Sequence, residues 1–177
     1  FERAQRLDIP IFIHPRDLST YDPHVEDYRL QGTLGWPFYT SLSVMRLIFG
    51  GVIEKYPRLK IVTHHLGGMI PFFKARVERG LQTRQASDRT LTRSMDKYLE
   101  AFYGDTASVA SGWEPALVCG LSLFGADRVV FGTDYPYDAG ERAIKENSAT
   151  ISAAAISDDD KHKILGANAQ KLLKLRK

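Results

Sequence analysis

Four short apolar runs in this chain each end on a residue that can bind a metal ion or move a proton. IPIFIH (residues 9–14) closes on His14, KIVTHH (60–65) on His64 and His65, FYGDT (102–106) on Asp105, and RVVFGTD (128–134) on Asp134. Two imidazoles and a carboxylate form a donor set suited to a borderline divalent cation such as Zn²⁺, which takes nitrogen and oxygen ligands and activates bound water. A lone His before a proline, or an Asp in a turn after a strand, is commonplace in structural roles. The signal here is joint placement: titratable residues recur at the ends of successive apolar runs.

Such ends converge only if the runs are parallel strands of one sheet, and the segments between them support this. Each run is too short for a helix and rich in β-branched or aromatic residues. Helical spacing fills the intervals: residues 40–55, 70–81, 95–100 and 115–124, the last with Pro115 near its start. A final helix over 157–175 opens SDDD, a serine cap followed by acids in the first turn. Alternating strands and helices predict a parallel sheet covered by helices. A (β/α)₈ barrel needs roughly 250 residues, so four strands in 177 residues amount to about half of one. The chain opens on Phe1, Ala4 and Leu7 at helical spacing, as the back half of a helix, and is expected to be a fragment: one partial domain over 1–177, cut at its N-terminus. A self-contained doubly wound sheet is the structural alternative. The polar stretch 82–93 reads as a surface excursion. The long loop 16–36 follows the first strand, where a barrel builds its active site; its His24 reads as solvated, with a lid as the other role.

Bulk properties narrow the classes. The composition is 44% hydrophobic and 25% charged, that of ordinary globular proteins. The net charge is +3, with lysines and arginines dispersed, so nucleic acid is not an expected partner. No apolar run approaches the ~20 residues of a membrane span. Cys119 is the single cysteine, which points to a reducing cytoplasm.

IFIHP, HLGGMIPF, FGTDYPY and the closing LGANAQKLL together resemble the amidohydrolase-2 group, typified by aminocarboxymuconate-semialdehyde decarboxylase and the γ-resorcylate decarboxylases. The resemblance implies strands five to eight of a (β/α)₈ TIM barrel of the metal-dependent hydrolase superfamily, with one divalent ion, usually Zn²⁺, and a homodimer. It implies that His14 and Asp134 bind the metal, that His65 is the acid–base residue, with Asp134 also catalytic, and that Arg76 contacts a substrate carboxylate. Trp36 is a candidate for the substrate pocket wall. Strand alternation sends His64 and His65 to opposite sides; the motif selects His65 for the barrel centre and leaves His64 as a packing residue facing the helices. Two further ligands that the group carries on its first strand, in an HxH or ExH motif, do not occur in these residues. The expected activity is decarboxylation of a small aromatic or unsaturated carboxylic acid. Metal-dependent hydrolysis of a lactone, ester or amide uses the same residues and is the alternative; a non-catalytic binding barrel is the third reading.

Overall fold

The computed structural model describes residues 1–15, 28, 30–107, 112–137 and 140–175. Helix α1 (Glu2–Leu7) leads into β1 (Ile11–Ile13); α2 (Trp36–Phe49) and α3 (Val52–Lys55) precede β2 (Ile61–Thr63). Next come α4 (Ile70–Ser87), α5 (Met95–Leu99), β3 (Phe102–Asp105), α6 (Glu114–Phe124), β4 (Val129–Val130) and α7 (Glu141–Ala153). The described chain closes with α8 (Asp158–His162), which runs through a π-helical turn into α9 (Asn168–Leu173). The four strands form one sheet in sequence order, and every neighbouring pair is parallel. All the strand C-termini therefore lie along one edge.

The register sorts side chains into two faces. Ile61 pairs with Phe102 and Gly104 with Val129. Ile61, Phe102 and Val129 are fully buried in the main core with Ile48, Ile53, Leu81, Leu117 and Ile164 from the surrounding helices. Val62, Tyr103 and Val130 alternate to the other face, against Leu172 and Ala169 of α9. Burial of an aliphatic side chain contributes ~1.5–3 kcal/mol, so the helix-facing layer holds the sheet together and the strand ends are left to chemistry.

The final helix opens on its predicted serine cap, and a second serine caps α5. Ser157 accepts the Asp160 N–H and Ser94 that of Lys97. The long helix expected over 40–55 instead starts at Trp36 and breaks at Gly50–Gly51, where Gly51 adopts a φ of 74° that a side chain disfavours. The stretch from 82 is not all excursion, since α4 continues to Ser87 and buries Leu81. Helix α7 has no counterpart among the predicted helices. Most of the loop 16–36, including His24, lies outside the described residues. Among the described residues no helix is long and apolar enough to cross a membrane.

Candidate active site

His14, His65 and Asp134 meet at the C-terminal edge of the sheet. His14 Nε2 lies 3.5 Å from Asp134 Oδ1, and His65 Nε2 lies 3.5 Å from Asp134 Oδ2. One carboxylate thus faces two imidazoles, one through each oxygen. Both distances are too long for good hydrogen bonds. A separation of that size suits a pair of donors to one ion: with bonds of 2.0–2.2 Å, neighbouring ligands of a tetrahedral ion stand about 3.4 Å apart. His14 Nδ1 is bonded to the Pro15 carbonyl. That contact places the imidazole proton on Nδ1 and leaves Nε2 with a lone pair towards Asp134, the arrangement of a metal-binding histidine. The residues present therefore fit a divalent ion but do not complete its shell. Among the described residues no group of three His, Cys, Asp or Glu is gathered to hold one.

The backbone is forced into this arrangement. His65, Leu66 and Asp134 have φ of 52°, 51° and 57°, the left-handed region, at a cost of roughly 1–2 kcal/mol each for residues with a Cβ. The strain at His65 is offset by Asp105, whose Oδ1 accepts the His65 N–H at 2.8 Å and the Ala107 N–H at 3.1 Å. Burial pushes the Asp105 carboxyl up to about 6, against the pull of these two N–H groups. The turn after His65 is also seated from the helix side. A Cβ at Gly120 would stand 2.8–3.0 Å from three Leu66 atoms, and one at Gly104 would strike the Phe124 ring at 2.8 Å. Glycines at these two positions let the chain carrying His65 sink between α6 and β3.

Asp105 is therefore expected to act through the His65 backbone. Asp105→Ala leaves two part-buried N–H groups without this acceptor and lowers stability by about 1–3 kcal/mol, with a drop in kcat as the His65 turn loosens. Asp105→Asn keeps the accepting oxygen and holds both nearer wild type. Urea denaturation alongside steady-state rates checks the pair, and equal behaviour of the two variants would refute the role.

His64 corrects the expectation that only one of the paired histidines reaches the centre. Register places Phe12 opposite Val62, so two residues on, His14 and His64 are cross-strand neighbours on one face. Their ring centroids lie 4.2 Å apart. Alternation would turn His65 away, but its left-handed φ ends the alternation and returns its ring to 3.9 Å from that of His64. His64 also touches α2, where Thr40 Oγ1 is 3.3 Å from its Nδ1. Burial, with His65 and His14 beside it, holds the His64 imidazole down at about 3, hence neutral.

The strand ends open onto a cavity of about 710 Å³ lined by His65, Asp134, Trp36, Leu66, Phe72 and Ala107, among others. Trp36 stands in its wall, its ring 6.2 Å from that of His14 and edge-on to it. Arg76 is not brought there. It lies exposed on α4, beside a separate surface pocket lined with Phe38, Met45 and Phe73.

The sequence reading missed Asn147. This fully buried side chain on α7 donates from Nδ2 to the Thr106 carbonyl and hydroxyl, both at 3.0 Å, and to the Gly132 carbonyl. It ties the end of β3 to the segment that carries Asp134. The signal was available: Ala143, Asn147 and Ile151 recur every fourth residue, a helical stripe with an amide at its centre, and all three are fully buried.

The amidohydrolase family model matches residues 1–175. The chain belongs to the amidohydrolase family. This amidohydrolase is 32% identical over 176 residues to the 2-amino-3-carboxymuconate-6-semialdehyde decarboxylase of Dictyostelium discoideum, covering 99% of this chain and 47% of that protein. It is 31% identical to a γ-resorcylate decarboxylase of Polaromonas sp., covering all of this chain and 54% of the relative. A solved structure of the 5-carboxyvanillate decarboxylase of Novosphingobium aromaticivorans, complexed with manganese and 4-hydroxy-3-methoxy-5-nitrobenzoic acid, superposes with a TM-score of 0.79 at 28% identity over 99% of this chain and 50% of that one. The amidohydrolase chain thus spans about half the length of the curated relatives it matches. Its four parallel strands are half of a (β/α)₈ barrel, as the expected C-terminal portion requires.

Proposed function

We propose that this amidohydrolase is part of a metal-dependent decarboxylase acting on a small aromatic or unsaturated carboxylic acid, with residues 1–177 forming part of one barrel domain. The observation that carries the reading is the convergence of His14, His65 and Asp134 at the mouth of a cavity walled by apolar and aromatic side chains. The named relatives support it, being decarboxylases of such acids.

In this reading His14 Nε2 and Asp134 supply two ligands to one divalent ion, and the remainder come from outside the described residues. The nitrogen and oxygen donors suit Zn²⁺, the ion expected from the sequence, and also Mn²⁺, the ion in the relative's structure. When bound, such an ion supplies positive charge that orients the acid and stabilises negative charge developing on it. Trp36 and Phe72 offer flat apolar surface to the substrate ring. His65 Nε2 delivers a proton to the carbon bearing the carboxylate. As that C–H bond forms, the C–C bond to the carboxylate breaks, its electron pair stays with the ring carbon, and CO₂ departs. Asp134 Oδ2, 3.5 Å from His65 Nε2, sets a negative charge opposite the proton carrier. Arg76 lies on α4 outside the cavity that His65 and Asp134 line, and no step is assigned to it. Cytoplasmic residence and pairing with a second copy enter the reading from the single cysteine and the family resemblance respectively.

The test uses the full-length protein loaded with Zn²⁺ or Mn²⁺ and offered 2,6-dihydroxybenzoate, 5-carboxyvanillate and aminocarboxymuconate semialdehyde. Release of CO₂ with formation of the protonated product is the expected result. Hydrolysis of a lactone or ester panel without CO₂ from any acid would replace this reading with the hydrolase.

A further inference from the structure

His64 has no part in the proton transfer or the ligand set proposed above, yet it is a buried histidine at the site, with 5% of its surface exposed. Its ring fills the space between the other two imidazoles, whose own centroids stand 6.3 Å apart. The far side of the ring is anchored. Thr40 on α2 gives its single hydroxyl proton to the Trp36 carbonyl at 3.1 Å, so its oxygen receives the Nδ1 proton of His64. Thr40 is itself buried. A continuous contact therefore runs from the first turn of α2 through Thr40 and His64 to His14 on one side and His65 on the other. His64 therefore packs against both rings from one side, and its own ring is tied to Thr40.

We propose that His64 is a positioning residue, an imidazole wedge anchored by Thr40 that sets the ring orientations of His14 and His65 together. The proposal rests on the decarboxylase reading for the roles of those two rings. It also explains why the paired histidines belong together: one presents the reactive nitrogen, and its neighbour holds that ring and the ligand ring in register.

The test uses the full-length protein and four variants. His64→Phe keeps a ring but loses the Nδ1 anchor. Thr40→Val removes the anchoring oxygen, Thr40→Ser keeps it, and the fourth variant combines His64→Phe with Thr40→Val. Metal affinity is read by competition with a chromophoric chelator, and kcat and KM from CO₂ release. His64→Phe and Thr40→Val are each expected to weaken metal binding about tenfold and lower kcat about tenfold with KM little changed, as loss of an outer-sphere partner does. Thr40→Ser should restore both, and the double variant should be no worse than His64→Phe alone. Wild-type metal affinity and kcat in folded His64→Phe and Thr40→Val would overturn the proposal, as would multiplicative effects in the double variant. Should His64→Phe fail to fold, Thr40→Val against Thr40→Ser decides the matter. A wild-type protein that binds no divalent ion overturns the decarboxylase reading itself; one that binds the ion while the variants match it overturns only the role of His64.

Discussion

His65→Asn in the full-length protein is expected to lower kcat about 10³-fold while the metal stays bound. General acid–base groups contribute about 10²–10⁴ in rate, and a thousandfold loss corresponds to about 4 kcal/mol of transition-state stabilisation. Asparagine tolerates the left-handed backbone that His65 adopts, and its own N–H still reaches Asp105, so the turn survives and only the titrating ring is lost. Metal retention is the discriminating half of the prediction. His65 and His14 stand at the same 3.5 Å from Asp134, and distance alone does not say which is ligand and which is proton carrier. Elemental analysis of the purified variant, paired with single-turnover CO₂ release, separates the two: loss of the ion would make His65 a ligand, and near-normal turnover would end its catalytic role.

The sequence made the strands legible because each is a short β-branched or aromatic run ending in a polar residue. It made the site legible because parallel topology carries those ends to one edge. Where it misled, the cause was local backbone geometry. Alternation is a rule of extended chain, and His65 leaves the extended region at the point where the rule was used to separate it from His64. Register would have paired His14 with His64, but register exists only once the strands are aligned. Helix α7 escaped notice because ERAIKENSATISA breaks its apolar stripe with Asn147, a residue of modest helix propensity. That amide is buried because the strand ends need a donor there. Arg76 shows the limit of spacing: eleven residues after His65 fixes its place on α4, not the direction in which the helix carries it.

Asp134 should show the opposite signature to His65. Its carboxylate faces both imidazoles, one through each oxygen, so Asp134→Ala removes an ion ligand and the partner of the proton carrier at once. Metal affinity is expected to fall at least about 100-fold, beyond the range typical of outer-sphere changes, and turnover to become undetectable. Alanine also pays for the left-handed φ of 57°, so a loss of about 1 kcal/mol in stability accompanies it for reasons unrelated to chemistry. Asp134→Asn is the control, because asparagine accepts that backbone and keeps one oxygen donor. It is expected to remain as stable as wild type, to hold the ion more weakly, and still to lose at least about 100-fold in kcat because the negative charge opposite His65 is gone. If both variants bind the ion as tightly as wild type, the cation does not sit between His14 and Asp134, and the separation of ligand from proton carrier drawn from the His65 variant would have to be rebuilt around other donors.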